Sequence, residues 1–148
     1  MDYISLLEST AKESGNCACM GIDPNFSALP EGMEVSEFFC AIFEEMGRTG
    51  IRVAATKPNI GYFSRLDKPL DGRFDGSRAL AEIVLALPAR PFILDAKRGD
   101  IATSSANYAF EAFCTWGADC VTVSPYMGSD SVGPFTSAIG DDAKDKGI

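Results

Sequence analysis

Apolar residues recur along the chain in two rhythms. Val35, Phe38, Phe39, Ile42, Phe43 and Met46 fall at i, i+3, i+4, i+7, i+8 and i+11, which is one stripe of an α-helix. The same spacing marks residues 3–14 through Ile4, Leu7 and Ala11. It returns at Leu80, Ile83, Val84 and Leu87, and again at Ala106, Ala109, Phe110 and Phe113. Between these stripes lie short apolar runs, Cys17–Ile22, Ile51–Thr56, Phe92–Ala96 and Cys120–Val123, each predicting a strand. Glycine and proline close the helices: Gly15 the first, Gly47 and Gly50 the second, Pro88 and Gly117 the later ones. A loop is expected from Pro24 to Pro30, a short helix over Ile60–Leu66, a polar glycine-containing stretch over Asp67–Asp75, and a further helix over Ser131–Ile139.

Strands alternating with helices imply a parallel sheet with helical crossovers. An open doubly wound sheet and a (β/α)8 TIM barrel both fit that pattern. No internal repeat or linker divides the chain, so its 148 residues read as a single domain, 1–148. A full barrel takes ~250 residues, or ~31 per βα unit, so this length holds about four units, a half barrel. The chain ends Ala143-Lys144-Asp145-Lys146-Gly147-Ile148, a charged lead-in followed by glycine and a β-branched residue, as at Gly50-Ile51. A fifth strand is expected to begin there, and the chain to be a fragment of a longer protein.

Composition narrows the chemistry. Apolar residues make up 46% and charged residues 23%, a globular profile rather than a disordered one. Thirteen basic against twenty-one acidic side chains leave a net charge of −8, with no basic run, which argues against nucleic acid or an anionic membrane as partner. No apolar stretch approaches the ~20 residues of a membrane span. The first residues, Met1-Asp2-Tyr3, do not read as a signal peptide, so a cytoplasmic location is expected. Histidine is absent, which excludes Ser-His-Asp and Cys-His catalysis and histidine-based zinc or haem sites. Acid–base work falls to carboxylates, lysines, tyrosines or thiols. The five cysteines, Cys17, Cys19, Cys40, Cys114 and Cys120, sit mostly in apolar runs and are expected to be buried free thiols.

The strand ends hold the candidate chemistry. In Phe92-Ile93-Leu94-Asp95-Ala96-Lys97-Arg98-Gly99-Asp100-Ile101 an apolar run ends by presenting Asp95 and Lys97, two apart and so on one side of the sheet. The first strand finishes at Asp23 before Pro24, the second at Lys57 before Pro58, the fourth at Ser124 before Pro125. Ends of parallel strands converge, so Asp23, Lys57, Asp95 and Lys97 are expected to gather at one mouth. Each residue has a plainer reading. Asp100 caps the following helix, Asp95 and Lys97 form an ordinary salt bridge, Lys57 is a solvated strand end, and Asp23 and Ser124 are turn residues. It is the conjunction of two lysines and two carboxylates that the plainer readings leave to accident.

Asp95-x-Lys97-x-x-Asp100 after a strand resembles the signature of the orotidine 5′-phosphate decarboxylase family. Leu94-Asp95-Ala96-Lys97-Arg98-Gly99-Asp100-Ile101 is similar to the form found in its longer bacterial subgroup. Gly21-Ile22-Asp23-Pro24, Lys57-Pro58-Asn59 and Val121-Thr122-Val123-Ser124-Pro125-Tyr126 match in order and spacing, so the resemblance runs from about Tyr3 to the end of the chain. Two positions depart from the family: Ser124 stands where the subgroup more often has Asn, and Ser104 where it usually has Thr.

The resemblance implies the N-terminal half of a TIM barrel that decarboxylates orotidine 5′-monophosphate to UMP without metal or organic cofactor. It implies that Lys97 protonates C6 of the pyrimidine, that Asp95 lies against the departing carboxylate, and that Lys57 holds Asp95 ionised. It places Asp23, Ile101, Ser104 and Ser124 against the nucleotide. Asp100 reaches the neighbouring active site of a homodimer with shared sites. The phosphate-gripping loop belongs to the family's second half, so the 148-residue chain alone is expected to have little activity. Two other readings compete: a Mg-dependent phosphosugar decarboxylase of the sister family, and a non-catalytic half-barrel that binds nucleotide or pairs with itself.

Overall fold

The computed structural model describes residues 1–137 and 145–148. Its elements follow as α1 (Tyr3–Ser14), β1 (Cys19–Ile22), α2 (Val35–Thr49), β2 (Ala55–Pro58), α3 (Ile60–Ser64), α4 (Asp75–Ala86), β3 (Ile93–Arg98), α5 (Ala102–Phe110), β4 (Cys120–Val123) and α6 (Ser129–Ser137). The last two residues of the helix expected over 131–139, and residues 143 and 144 of the lead-in to Gly147, lie outside the described residues.

β1 pairs in parallel with β2, from Cys19 opposite Ala55 to Ile22 opposite Pro58. Parallel bridges Thr56–Phe92 and Asn59–Asp95 join β2 to β3, and β3 pairs in parallel with β4. Gly147 adds a parallel bridge to Cys120. Its amide donates to the Asp119 carbonyl at 2.9 Å, and its carbonyl accepts from the Val121 amide at 3.1 Å, so pairing beyond β4 begins at the expected residue.

The strands therefore stand in chain order. That order separates the two architectures left open by the sequence. A doubly wound sheet reverses its order at a switch point. Strands added always on the same side by right-handed crossovers place every helix on one face, which is the winding of a barrel. The fold is a partial (β/α) barrel.

The core lies between this sheet and its helices. Ile22, Phe92, Leu94 and Val121 from the strand segments meet Phe39, Phe43, Leu80, Ile83, Phe113 and Phe135 from the helical side. Each such side chain contributes about 1.5–3 kcal/mol on burial. The α2 stripe behaves as its spacing predicts, with Val35, Phe39, Phe43 and Met46 buried. Asp2 caps α1 by accepting the Ser5 amide at 3.0 Å, and Gly15 closes it in the left-handed region. At α4 the capping group comes from outside the helix. Asp67 accepts from the amides of Gly76 and Ser77 at 2.7 and 3.0 Å.

Several expectations shift. The second strand starts at Ala55 rather than Ile51, because Ile51 belongs to the end of α2. After left-handed Gly50, the Ile51 amide donates to the Met46 carbonyl at 3.0 Å, and its side chain stays exposed. Phe92 precedes β3, although it is buried and bridged to Thr56. Ile4 and Phe110 are exposed instead of lying in a buried stripe. After α5 the chain widens into a π-helical turn, Glu111–Thr115, which carries buried Ala112 and Phe113. All five cysteines are free, but only Cys120 is buried: Cys40 is half-buried, and Cys17, Cys19 and Cys114 are exposed. Cys19 lies on the face of β1 opposite Ile22. No helix among the described residues is long and apolar enough to cross a membrane.

Candidate functional site

The candidate site forms at the C-terminal ends of the strands. Gly21 lies opposite Lys57, and Asn59 is level with Asp95, so β2 and β3 are staggered to bring Lys57 beside Asp95. Lys57 Nζ donates to Asp95 Oδ2 at 2.7 Å. Lys97 Nζ donates to Asp95 Oδ1 from the same strand. Thr122 Oγ1, on β4, donates to Oδ1 at 2.9 Å. Asp95 is 5% exposed, and its carboxylate is ringed by three donors from three strands.

Burial alone would push the Asp95 carboxyl up. The hydrogen bonds from Lys57, Lys97 and Thr122 outweigh it and hold the group down to about 2. Lys57 moves the other way: its bond to Asp95 raises it against the opposing effect of burial, and the charge of Asp23 adds to the rise. The ionised Asp95 carboxylate paired with the charged Lys57 is the stable state across the neutral range.

Lys97 is the one non-glycine residue among the described residues with positive φ, at 48°. The left-handed region is costly for a side-chain-bearing residue and persists where its surroundings fix it. Its side chain remains 66% exposed, so the ammonium touches Asp95 on one side and solvent on the other. A ligand can meet it there.

Asp23 follows β1, exposed, in an open cleft with Asn25, Phe26, Ser27, Tyr62 and Arg65. Asp100 is not the cap of α5. That position is Ile101, and among the described residues the Asp100 carboxylate accepts only from the Ile101 amide, at 2.7 Å. Among the described residues Asp100 forms no ion pair in its own chain. Ile101 is exposed and Ser104 half-buried on the same edge. Ser124 joins the array through its backbone. Its amide donates to the Arg98 carbonyl at 2.6 Å, and a Cβ on Gly99 would lie 2.7 Å from its carbonyl oxygen. Only glycine fits that crossing. A larger cavity, between α1, α2 and α4 and lined by Glu44, Arg52 and Arg90, holds none of these residues. Among the described residues no three Cys, Asp or Glu side chains gather as a metal site.

Sequence reasoning missed four contributors. Thr122 lies inside the motif run Val121–Tyr126, which by itself marks no role for it. Its position two residues before Ser124 on a strand was the available signal, since alternation puts both on one face. Ser105 and Ser131, both buried, tie the loop after β3 in place. Ser105 Oγ donates to the Asp100 carbonyl at 2.9 Å, and Ser131 Oγ accepts from the Asp100 amide at 3.2 Å. Glu111 takes the Arg98 guanidinium at 3.0 and 3.2 Å, and the same guanidinium lies 4.7 Å from the Tyr108 ring centre. No local pattern announces these partners.

Comparison with known proteins places the chain beside one family. No family model matches it. The orotidine 5′-phosphate decarboxylase of Albidiferax ferrireducens is 38% identical over 141 residues, covering 91% of this chain and 46% of that protein. The enzyme of that name from Roseiflexus castenholzii is 38% identical over 139 residues, covering 91% and 48%. The solved structure of Leishmania donovani OMP decarboxylase superposes with a TM-score of 0.72 at 38% identity, covering 91% of this chain and 49% of that one. The chain is similar to orotidine 5′-phosphate decarboxylases over nearly all its described length, and it spans about half the length of the curated relatives it matches.

Proposed function

We propose that this chain carries the lysine–aspartate array of an orotidine 5′-phosphate decarboxylase, a carboxy-lyase of de novo pyrimidine biosynthesis that converts orotidine 5′-monophosphate to UMP and CO2. One observation carries the reading. A buried carboxylate, Asp95, is held ionised between two ammonium groups at the mouth of parallel strands, and the second ammonium, Lys97, faces solvent.

The chemistry follows from those charges. The bond from C6 of the pyrimidine to its carboxylate breaks, the electron pair stays on C6, and CO2 leaves. A proton then passes from Lys97 Nζ to C6, giving UMP. The ammonium is worth most where negative charge develops on C6, so it lowers the transition state more than the ground state. Asp95 lies against the substrate carboxylate. Two like charges ~4 Å apart repel by roughly 4 kcal/mol at an effective dielectric of 20, and departure of CO2 relieves that repulsion. Lys57 keeps Asp95 ionised and reaches the ribose, and Asp23 accepts from a ribose hydroxyl. Ser124 borders the base.

Asp100 serves the neighbouring site of a homodimer, and Ile101 and Ser104 lie against the nucleotide. Among the described residues the Asp100 carboxylate bonds only to the Ile101 amide of its own chain, which supports that role. The reaction needs no cofactor, and the protein works in the cytoplasm as a single domain over residues 1–148 of the barrel.

The deciding experiment is a titration of the chain with UMP and with a UMP analogue bearing an anionic group at C6, run beside a CO2-release assay. The analogue should bind at least tenfold more tightly, because its charge mimics the intermediate, and Lys97→Ala should erase the difference. Equal affinity for the two nucleotides, or a preference that survives Lys97→Ala, refutes the reading. The CO2 assay should show little release from the 148 residues alone.

A further inference from the structure

The β3–β4 ladder is interrupted where the site is built. Leu94 pairs with Val121 and Arg98 with Val123, so four steps along β3 match two along β4. The extra length is a bulge that includes Ala96 and the left-handed Lys97. Bulging takes backbone amides off the ladder, and a buried amide without a partner is costly. Here the amides of Ala96 and Lys97 both donate to one side chain, Thr122 Oγ1, at 3.1 and 3.0 Å.

A threonine hydroxyl has two acceptor lone pairs and one proton. The two amides occupy both lone pairs. The proton is left for Asp95 Oδ1, 2.9 Å away. Every bonding capacity of the hydroxyl is used, and its orientation is fixed by the backbone of the strand that carries Asp95 and Lys97. Accepting two hydrogen bonds also polarises the O–H and strengthens its donation.

We infer that Thr122 is a positioning residue. Its single hydroxyl replaces the missing ladder contact, holds the bulge that turns Lys97 toward Asp95, and supplies the third donor to the Asp95 carboxylate. Catalytic relevance rests on the decarboxylase reading, but the positioning role does not. The methyl group of Thr122 has no part in it, so serine should serve and valine, of the same shape, should not.

The test uses the 148-residue chain without substrate. The Asp95 carboxyl is followed by carbon NMR against pH in the parent, Thr122→Val and Thr122→Ser, with Asp95→Asn to assign the signal and thermal unfolding to check the fold. Thr122→Val should raise the Asp95 midpoint by about 0.5–1 pH unit, as expected for loss of one hydrogen bond to the charged form. Thr122→Ser should return it to the parent value. An unchanged midpoint in Thr122→Val, or a serine variant displaced as far as the valine one, overturns the inference. If Thr122→Val does not fold, Thr122→Cys takes its place: the weak thiol donor should also raise the midpoint, and no shift there overturns it equally. Absence of nucleotide binding by the parent would sink the functional reading and leave this titration intact.

Discussion

Lys57 and Asp95 stand on neighbouring strands, 38 residues apart in the chain, and meet Nζ to Oδ2 at 2.7 Å. The contact joins a carboxylate with almost no access to water to an ammonium that keeps some. Each group stabilises the charged form of the other, so their responses to pH run in opposite directions.

Removing the ammonium leaves the acid buried beside a single remaining cation. Lys57→Ala should cost on the order of 1–3 kcal/mol, the penalty of an under-compensated buried charge. It should also raise the acid midpoint of Asp95. Urea unfolding at pH 7 measures the first and carbon NMR the second. Loss of less than a few tenths of a kcal/mol would show that the pair adds nothing to stability.

Stability should fall in acid through Asp95. Its folded value, about 2, lies below the ordinary 3.8, so the folded state favours the ionised form. The contribution is fully present above the ordinary value and is lost as pH drops through the folded one. About 2 kcal/mol should disappear between about pH 4 and pH 2. Lys57 is displaced upward, so its contribution is complete below its ordinary value of 10.5 and fades as pH rises through the higher folded one. Asp95→Asn should flatten the acid limb of a pH series of urea unfolding midpoints. An acid limb as steep as the parent's would assign the loss to other carboxylates.

Lys97 is exposed, and its loss should spare the fold. In the active enzyme Lys97→Ala should abolish UMP formation from orotidine 5′-monophosphate while leaving the thermal midpoint within a few degrees of the parent. Normal turnover in this variant would exclude Lys97 as the proton donor.

Asp67 caps α4 from the preceding loop, where Phe74, at the cap position itself, offers no side-chain bond. Asp67→Ala should destabilise the fold by about 1 kcal/mol, and Asp67→Asn by less, because asparagine keeps the accepting oxygen. Indistinguishable unfolding curves for parent and alanine variant would show that water replaces the cap without cost.

The order of strands and helices was legible in the chain because it depends on local periodicity. The α2 stripe and the run Cys120–Val123 emerged where their spacing put them. Ile51 did not, since the closure of α2 through Gly50 is a contact that an apolar run does not encode. The exposed Cys19 failed for a related reason: an apolar run locates a strand and leaves open which of its faces the core covers.

By itself the sequence determined that Asp95 and Lys97 share a strand end and that Lys57 and Asp23 close neighbouring ones, because each follows from position within a single element. Only the tertiary structure decided that Lys57 meets Asp95, that β3 bulges through a left-handed Lys97, that Thr122 bonds that bulge, and that Ser131 ties the loop after it. Those facts depend on register between strands distant in the chain. Register is a property of the whole sheet packed against its helices, and no single segment carries it.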